Sequence, residues 1–369
     1  MAESRQVRAI TRRALMAGLP AVLLRGAVGR GQAYPSERRR YADPATEFEV
    51  VRLTDPAHST YLPSTAARIV TNRGTALLCA SDRTGSMQAF RLDWKSGEAR
   101  QLTDCAALDK EALAWHPDER GFFCFDGPAL QRVSLPALRS RETYRSPDGW
   151  TRGSGFSVTE DGLYALLVET SQERSRLRLI GLAKPGATTV AETVGAITDP
   201  LPRPKRAGIL YRRDGNSLWL VNFDGADNRR LRTAEGQPGP ALWSADGRTV
   251  LYLNYSEEAR RRHTLREHTP DTNADQLVGA TTQFVGFQRN ADSSVFVGAS
   301  GSVAAPHVLL LLRAAHRELT LCEHAARDAR QVKPIFAPDS QRIFFQSDRH
   351  GKPALYTMTI ERFVERTES

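Results

Sequence analysis

The chain has 369 residues, 40% of them hydrophobic and 25% charged, which excludes a disordered chain and leaves ample material for a globular core. Its net charge of +9 overstates the basic character of the fold, because residues 1–33 hold six Arg and one Glu and leave only +4 to the remainder. Most support for nucleic-acid binding goes with that correction, and no apolar stretch is long enough for stable membrane insertion.

In chain order, Thr11-Arg12-Arg13-Ala14-Leu15-Met16 and the apolar run to Leu24 look like a twin-arginine export signal, with a possible cut after Gly31-Gln32-Ala33. The expected organisation is a signal over 1–33, a linker over 34–45, a folded domain over 46–362 and a tail over 363–369. The signal implies a periplasmic or secreted protein.

From there a short apolar strand follows a turn seven times. The strands begin at Leu77, Phe122, Ala165, Ile209, Val250, Val295 and Ile343, spaced 41 to 48 residues apart, the period of four-stranded propeller blades. Each is preceded by a turn such as Glu160-Asp161-Gly162 or Pro338-Asp339-Ser340, where Asp can bond the backbone two residues on. The fold predicted is all-β, a seven-bladed β-propeller. Glu98 to Asp104 reads as the outer strand of the first blade, and Phe48 to Asp55 resembles it. The last blade shows no outer strand after Ile360, so the N-terminal strand is expected to complete it and close the ring. Arg260 to Asp275 and Ser300 to His307 read as longer connections.

Cys79, Cys105, Cys124 and Cys322 have no metal-binding spacing and are expected to be structural, with no essential disulfide. GxSxG, HExxH, Walker A and GxGxxG motifs are absent, and the eight His are scattered.

With the blades placed, the sequence resembles the oligogalacturonate lyase family over most of residues 44 to 362. The likeness is clearest in ASDRTGSMQAFRLDWKSGEARQLTD (80 to 104), SLWLVNFDG (217 to 225), LWSADGRTVLYLNY (242 to 255) and LTLCEH (319 to 324). The SDxxG strand ends are shared with TolB-type propellers. The resemblance implies β-elimination on short pectin fragments. In that chemistry a divalent metal, usually manganese, neutralises the uronate carboxylate, a base takes the C5 proton and the 4-linked sugar departs.

The family's site residues are largely replaced. Its R-x-W arginine falls on Ser217 and its H-E-F-W histidine on Pro240. The sixth-blade metal histidine falls near Gln283, the H-P-H pair on Gln331 and Lys333, and the ligand Gln on Asp328 or Gln331. No metal ligand is therefore assigned. Gln283, Gln331 and Lys333 are the candidate catalytic residues, expected to converge at one end of the channel, with Arg203, Arg206, Arg212 and Arg213 as candidate anion contacts. Three readings stay open: a divergent lyase in which Lys333 replaces the metal's charge, a non-catalytic propeller binding acidic oligosaccharide or a periplasmic protein, and a TolB-like scaffold unrelated to sugars.

Overall fold

The computed structural model describes residues 29–257, 263–281 and 283–363. Seven antiparallel sheets surround a central channel, so the all-β, seven-bladed propeller is what forms. The seven apolar runs are the second strands of the blades: Ala76–Ser81, Gly121–Asp126, Tyr164–Ser171, Gly208–Arg213, Val250–Tyr255, Val295–Ser300 and Arg342–Ser347. Neighbouring blades cover both faces of each, which is why these strands read as continuous rather than alternating hydrophobicity.

Five of the seven turns before them share one construction. Asp118, Asp161, Asp246, Asp292 and Asp339 each accept the backbone N–H two residues on, at 2.9 to 3.0 Å. One residue per turn takes a left-handed conformation, with φ from 56 to 70°: Gly74, Glu119, Gly162, Lys205, Gly247, Ser293 and Ser340. Glycine is the least strained choice there, yet four of the seven positions do without it.

The ring closes as the sequence suggests. Glu49–Arg52 joins Ala354–Thr359 in the last blade, with Val51 opposite Thr357 and Arg52 opposite Tyr356. The structure corrects the expected linker over 34–45: Arg39–Ala42 pairs outside Glu49–Arg52, and Ala33–Tyr34 pairs with Ala99–Gln101 on the first blade. These are solvent-facing edge strands, and a charged run such as Arg39-Arg40-Tyr41-Ala42 lacks the apolar signal of a core strand.

Arg260 to Asp275 is also corrected. It contains the third strand of the fifth blade, Thr264–Thr269, and the start of the fourth, Ala274–Ala280. Its charges mislead because they are paired within the fold, Arg266 with Asp275 on the next strand and Glu267 with Arg313 of the sixth blade, each at 2.5 Å. Residues 258–262 of the Arg-rich run lie outside the described residues, as do residues 1–28 of the export-signal reading. Ser300 to His307 does bracket a loop between two strands of the sixth blade. No helix among the described residues is long and apolar enough to cross a membrane.

Cys79, Cys124 and Cys322 are buried in strands, and burial pushes the Cys79 thiol up to about 12. His324 anchors the loop before Pro306. Its Nε2–H donates to Ser300 O at 2.9 Å and its Nδ1 accepts Ala326 N–H at 3.0 Å, so the ring is held neutral. Burial is the main cause of its lowered pKa, assisted by His307 and Arg349. A folded pKa below the unfolded value means that the unfolded chain binds the extra proton first. His324 should therefore contribute its full stability above about pH 6.5 and lose it progressively as pH falls below that. Thermal unfolding across this range should show a steeper acid-side loss for wild type than for His324→Gln; equal slopes would contradict this role.

Candidate active site at the mouth of the channel

Bulges build the site. In blades two to six the register between the first and second strands shifts close to where the first strand begins, at Leu108/Leu113, Arg152/Phe156, Thr198/Leu201, Pro238/Ala241 and Phe284/Gly286. One to three extra residues bend the strand and re-aim its side chains. The shifted segments bring Glu111, Gly153 to Gly155, Asp199, Gly239, Pro240 and Val285 to the wall of a cavity of about 1320 Å³ formed by all seven blades. Glycine is needed at two of these positions: Gly155 has φ of +99°, and a Cβ at Gly239 would lie 2.6 Å from the Tyr255 ring.

Cation–carboxylate pairs ring this mouth. Lys333 Nζ lies 2.5 Å from Glu111 Oε2 and donates to Leu62 O at 2.9 Å. Arg152 contacts Asp109, two residues before Glu111 on the same strand. Arg212 pairs with Asp199 at 3.3 Å and donates to Pro238 O at 2.6 Å and to Gly239 O. Six Arg or Lys residues line the whole cavity against three Asp or Glu, an excess that favours anions. Burial lowers the Lys333 pKa, and Glu111 beside it opposes that shift. Lys333 also has φ of +47°, a strained conformation for a residue with a Cβ. On the far side of the mouth the His263 ring packs edge-on against Tyr255 at 4.6 Å, with its buried Nδ1 unpartnered among the described residues.

Of the seven residues singled out in the sequence, Lys333, Gln331 and Arg212 line the cavity. Gln283 does not. It is exposed at the start of the sixth blade, two residues before Val285, which does line it. Arg203 is buried between blades, donating to Gly247 O at 2.7 Å and stacked 4.9 Å over Trp243. Arg206 is an exposed partner of Asp271 at 2.9 Å. Arg213 lies 4.4 Å over Trp219, away from the channel. Of Gln283, Gln331 and Lys333, which were expected to converge, the last two line the cavity and Gln283 lies outside it. Glu111, Arg152, Tyr255 and His263 join the site without having been singled out in the sequence; the Gly-Ser-Gly and Pro-Gly-Pro runs at 153 to 155 and 238 to 240 are the available signal for bulged strands.

Fold and site define a seven-bladed propeller whose channel opens into a cationic mouth. Along nine-tenths of its length the chain resembles the oligogalacturonate lyases, as its motifs suggest. It is 24% identical over 387 aligned positions to an oligogalacturonide lyase of Pectobacterium atrosepticum, and 22% identical over 388 to an oligogalacturonate lyase of Dickeya dadantii. Each alignment covers 90% of this chain and 98% of the relative. Two solved structures share the fold. One, an oligogalacturonate lyase in complex with manganese, superposes with a TM-score of 0.85 at 23% identity; the other, an oligogalacturonate lyase from Vibrio parahaemolyticus, with 0.83 at 21%. Each covers 90% of this chain and 98% of the solved one. No protein-family model matches the chain.

Proposed function

We propose that this chain is an oligogalacturonate lyase-like propeller that acts on short acidic oligosaccharides by β-elimination, with Lys333 in place of a divalent metal. The observation that carries the reading is the Lys333 ammonium in the channel wall, at a position where the family resemblance expects a metal-binding histidine. Paired with the uronate carboxylate, it would withdraw charge and make the C5 hydrogen more acidic. The donors do not suit manganese. Gln331 offers an amide, Lys333 repels a cation, and no three His, Cys, Asp or Glu residues gather into a metal site among the described residues. One ammonium is a weaker electrophile than Mn²⁺, so slower turnover is expected. The export-signal reading of residues 1–33 goes with a substrate met in the periplasm or outside the cell.

A second reading, binding of acidic saccharide or a periplasmic protein without cleavage, is favoured by Ser217 and Pro240 standing where the family's arginine and histidine are expected. Incubation of the full chain with digalacturonate in the presence of a chelator separates the two. Unsaturated product is expected; tight binding with no product over long incubation would leave the second reading.

A further inference from the structure

We propose that Glu111 is the base that removes the C5 proton, an inference that rests on the lyase reading above. Two of the three N–H bonds of Lys333 are used, by Leu62 O at 2.9 Å and Glu111 Oε2 at 2.5 Å, and the third has no acceptor among the described residues, so a ligand can take it. C5 of a uronate is bonded directly to the carboxylate carbon. A carboxylate that takes the third N–H therefore brings the C5 hydrogen beside the group already sharing that ammonium. Glu111 is suited to proton abstraction, since its side chain is 37% exposed, it lines the cavity, and its Oε1 has no partner among the described residues.

The other acidic groups are committed or remote. Asp109 accepts Glu111 N–H at 2.9 Å through Oδ1 and holds Arg152 through Oδ2. Asp199 is taken by Arg212. Glu160 sits in the turn at the other end of the third blade's first strand.

The step balances without a further reagent. Glu111 takes the C5 proton, the C5–H electron pair becomes the C4–C5 double bond, and the C4–O4 bond breaks with its pair on O4. O4 takes a proton from water, and the hydroxide left behind collects the proton from Glu111.

The test follows the galacturonate released from digalacturonate by chromatography, with equilibrium binding measured in parallel. Glu111→Gln is expected to lower turnover by about 10²–10⁴-fold while binding stays comparable to wild type. Glu111→Asp, which keeps the carboxylate but withdraws it by one methylene, should be intermediate. It decides the matter if the Gln variant does not fold: an unchanged rate contradicts the proposal, and a loss of about tenfold or more supports it. A Gln variant as active as wild type overturns the base alone. A wild-type chain that binds digalacturonate and never forms product overturns the lyase reading and the base with it.

Discussion

A chain lacking residues 46–56 is expected to lose its cooperative folded state. The segment supplies the strand that joins the two ends of the ring. Leu53 N–H donates to Leu355 O at 2.7 Å, and Thr54 Oγ1 accepts Leu355 N–H at 3.0 Å. Val50, Val51 and Leu53 are buried in the seams on either side. Burying an aliphatic side chain contributes about 2 kcal/mol, so these three supply about 6 kcal/mol. Whole domains are stable by only about 5–15 kcal/mol. Removal also uncovers Tyr356 and Met358 on the return strand and leaves a long unpaired edge. Circular dichroism with heating should show no sharp transition, or aggregated protein; a transition at the wild-type temperature would contradict closure by the N-terminal strand.

Replacing Lys333 by Met is expected to weaken digalacturonate binding by about 10- to 100-fold, since a hydrogen bond to a charged group is worth about 1.5–3 kcal/mol. It also leaves Glu111 without its cation. Removing one partner of a fully buried pair costs about 3–5 kcal/mol, but Glu111 is more than one-third open to solvent, so the stability loss should be nearer about 2 kcal/mol. Lys333→Met combined with Glu111→Gln should recover most of the stability and none of the affinity. Titration calorimetry and denaturant unfolding read the two effects separately. Equal affinity in Lys333→Met and wild type would remove Lys333 from the anion site.

The scaffold is legible in the sequence because each second strand is buried on both faces and is announced by a turn, in five of the seven blades one whose Asp folds back on its own backbone. Closure is legible from the missing outer strand after Ile360. The site is much less so. Asp109 and Glu111 alternate with Lys110 and Ala112, the pattern of a half-solvated strand. Glu111 faces the channel instead, with Asp109 holding Arg152 beside it, and the cation that meets Glu111 comes from 222 residues away in sequence. Arg212 and Arg213 are equivalent as letters. On a strand, neighbours point to opposite faces, so Arg212 reaches the channel and Arg213 stacks on Trp219. Arg203 reads as an exposed turn residue, whereas the approach of blade five, with Gly247 and Trp243, takes it out of solvent. Lys333 is reached only through the family resemblance; its strained backbone and its pairing with Glu111 are tertiary features with no local signal.

If the proposed reading holds, the cationic mouth recognises a uronate carboxylate without a metal. Calorimetric titration of digalacturonate into the chain, first in chelator and then with added Mn²⁺, tests it most directly. Lys333 in the place of the metal predicts saturable binding in chelator that Mn²⁺ leaves unchanged. Binding that appears only when Mn²⁺ is supplied would contradict it.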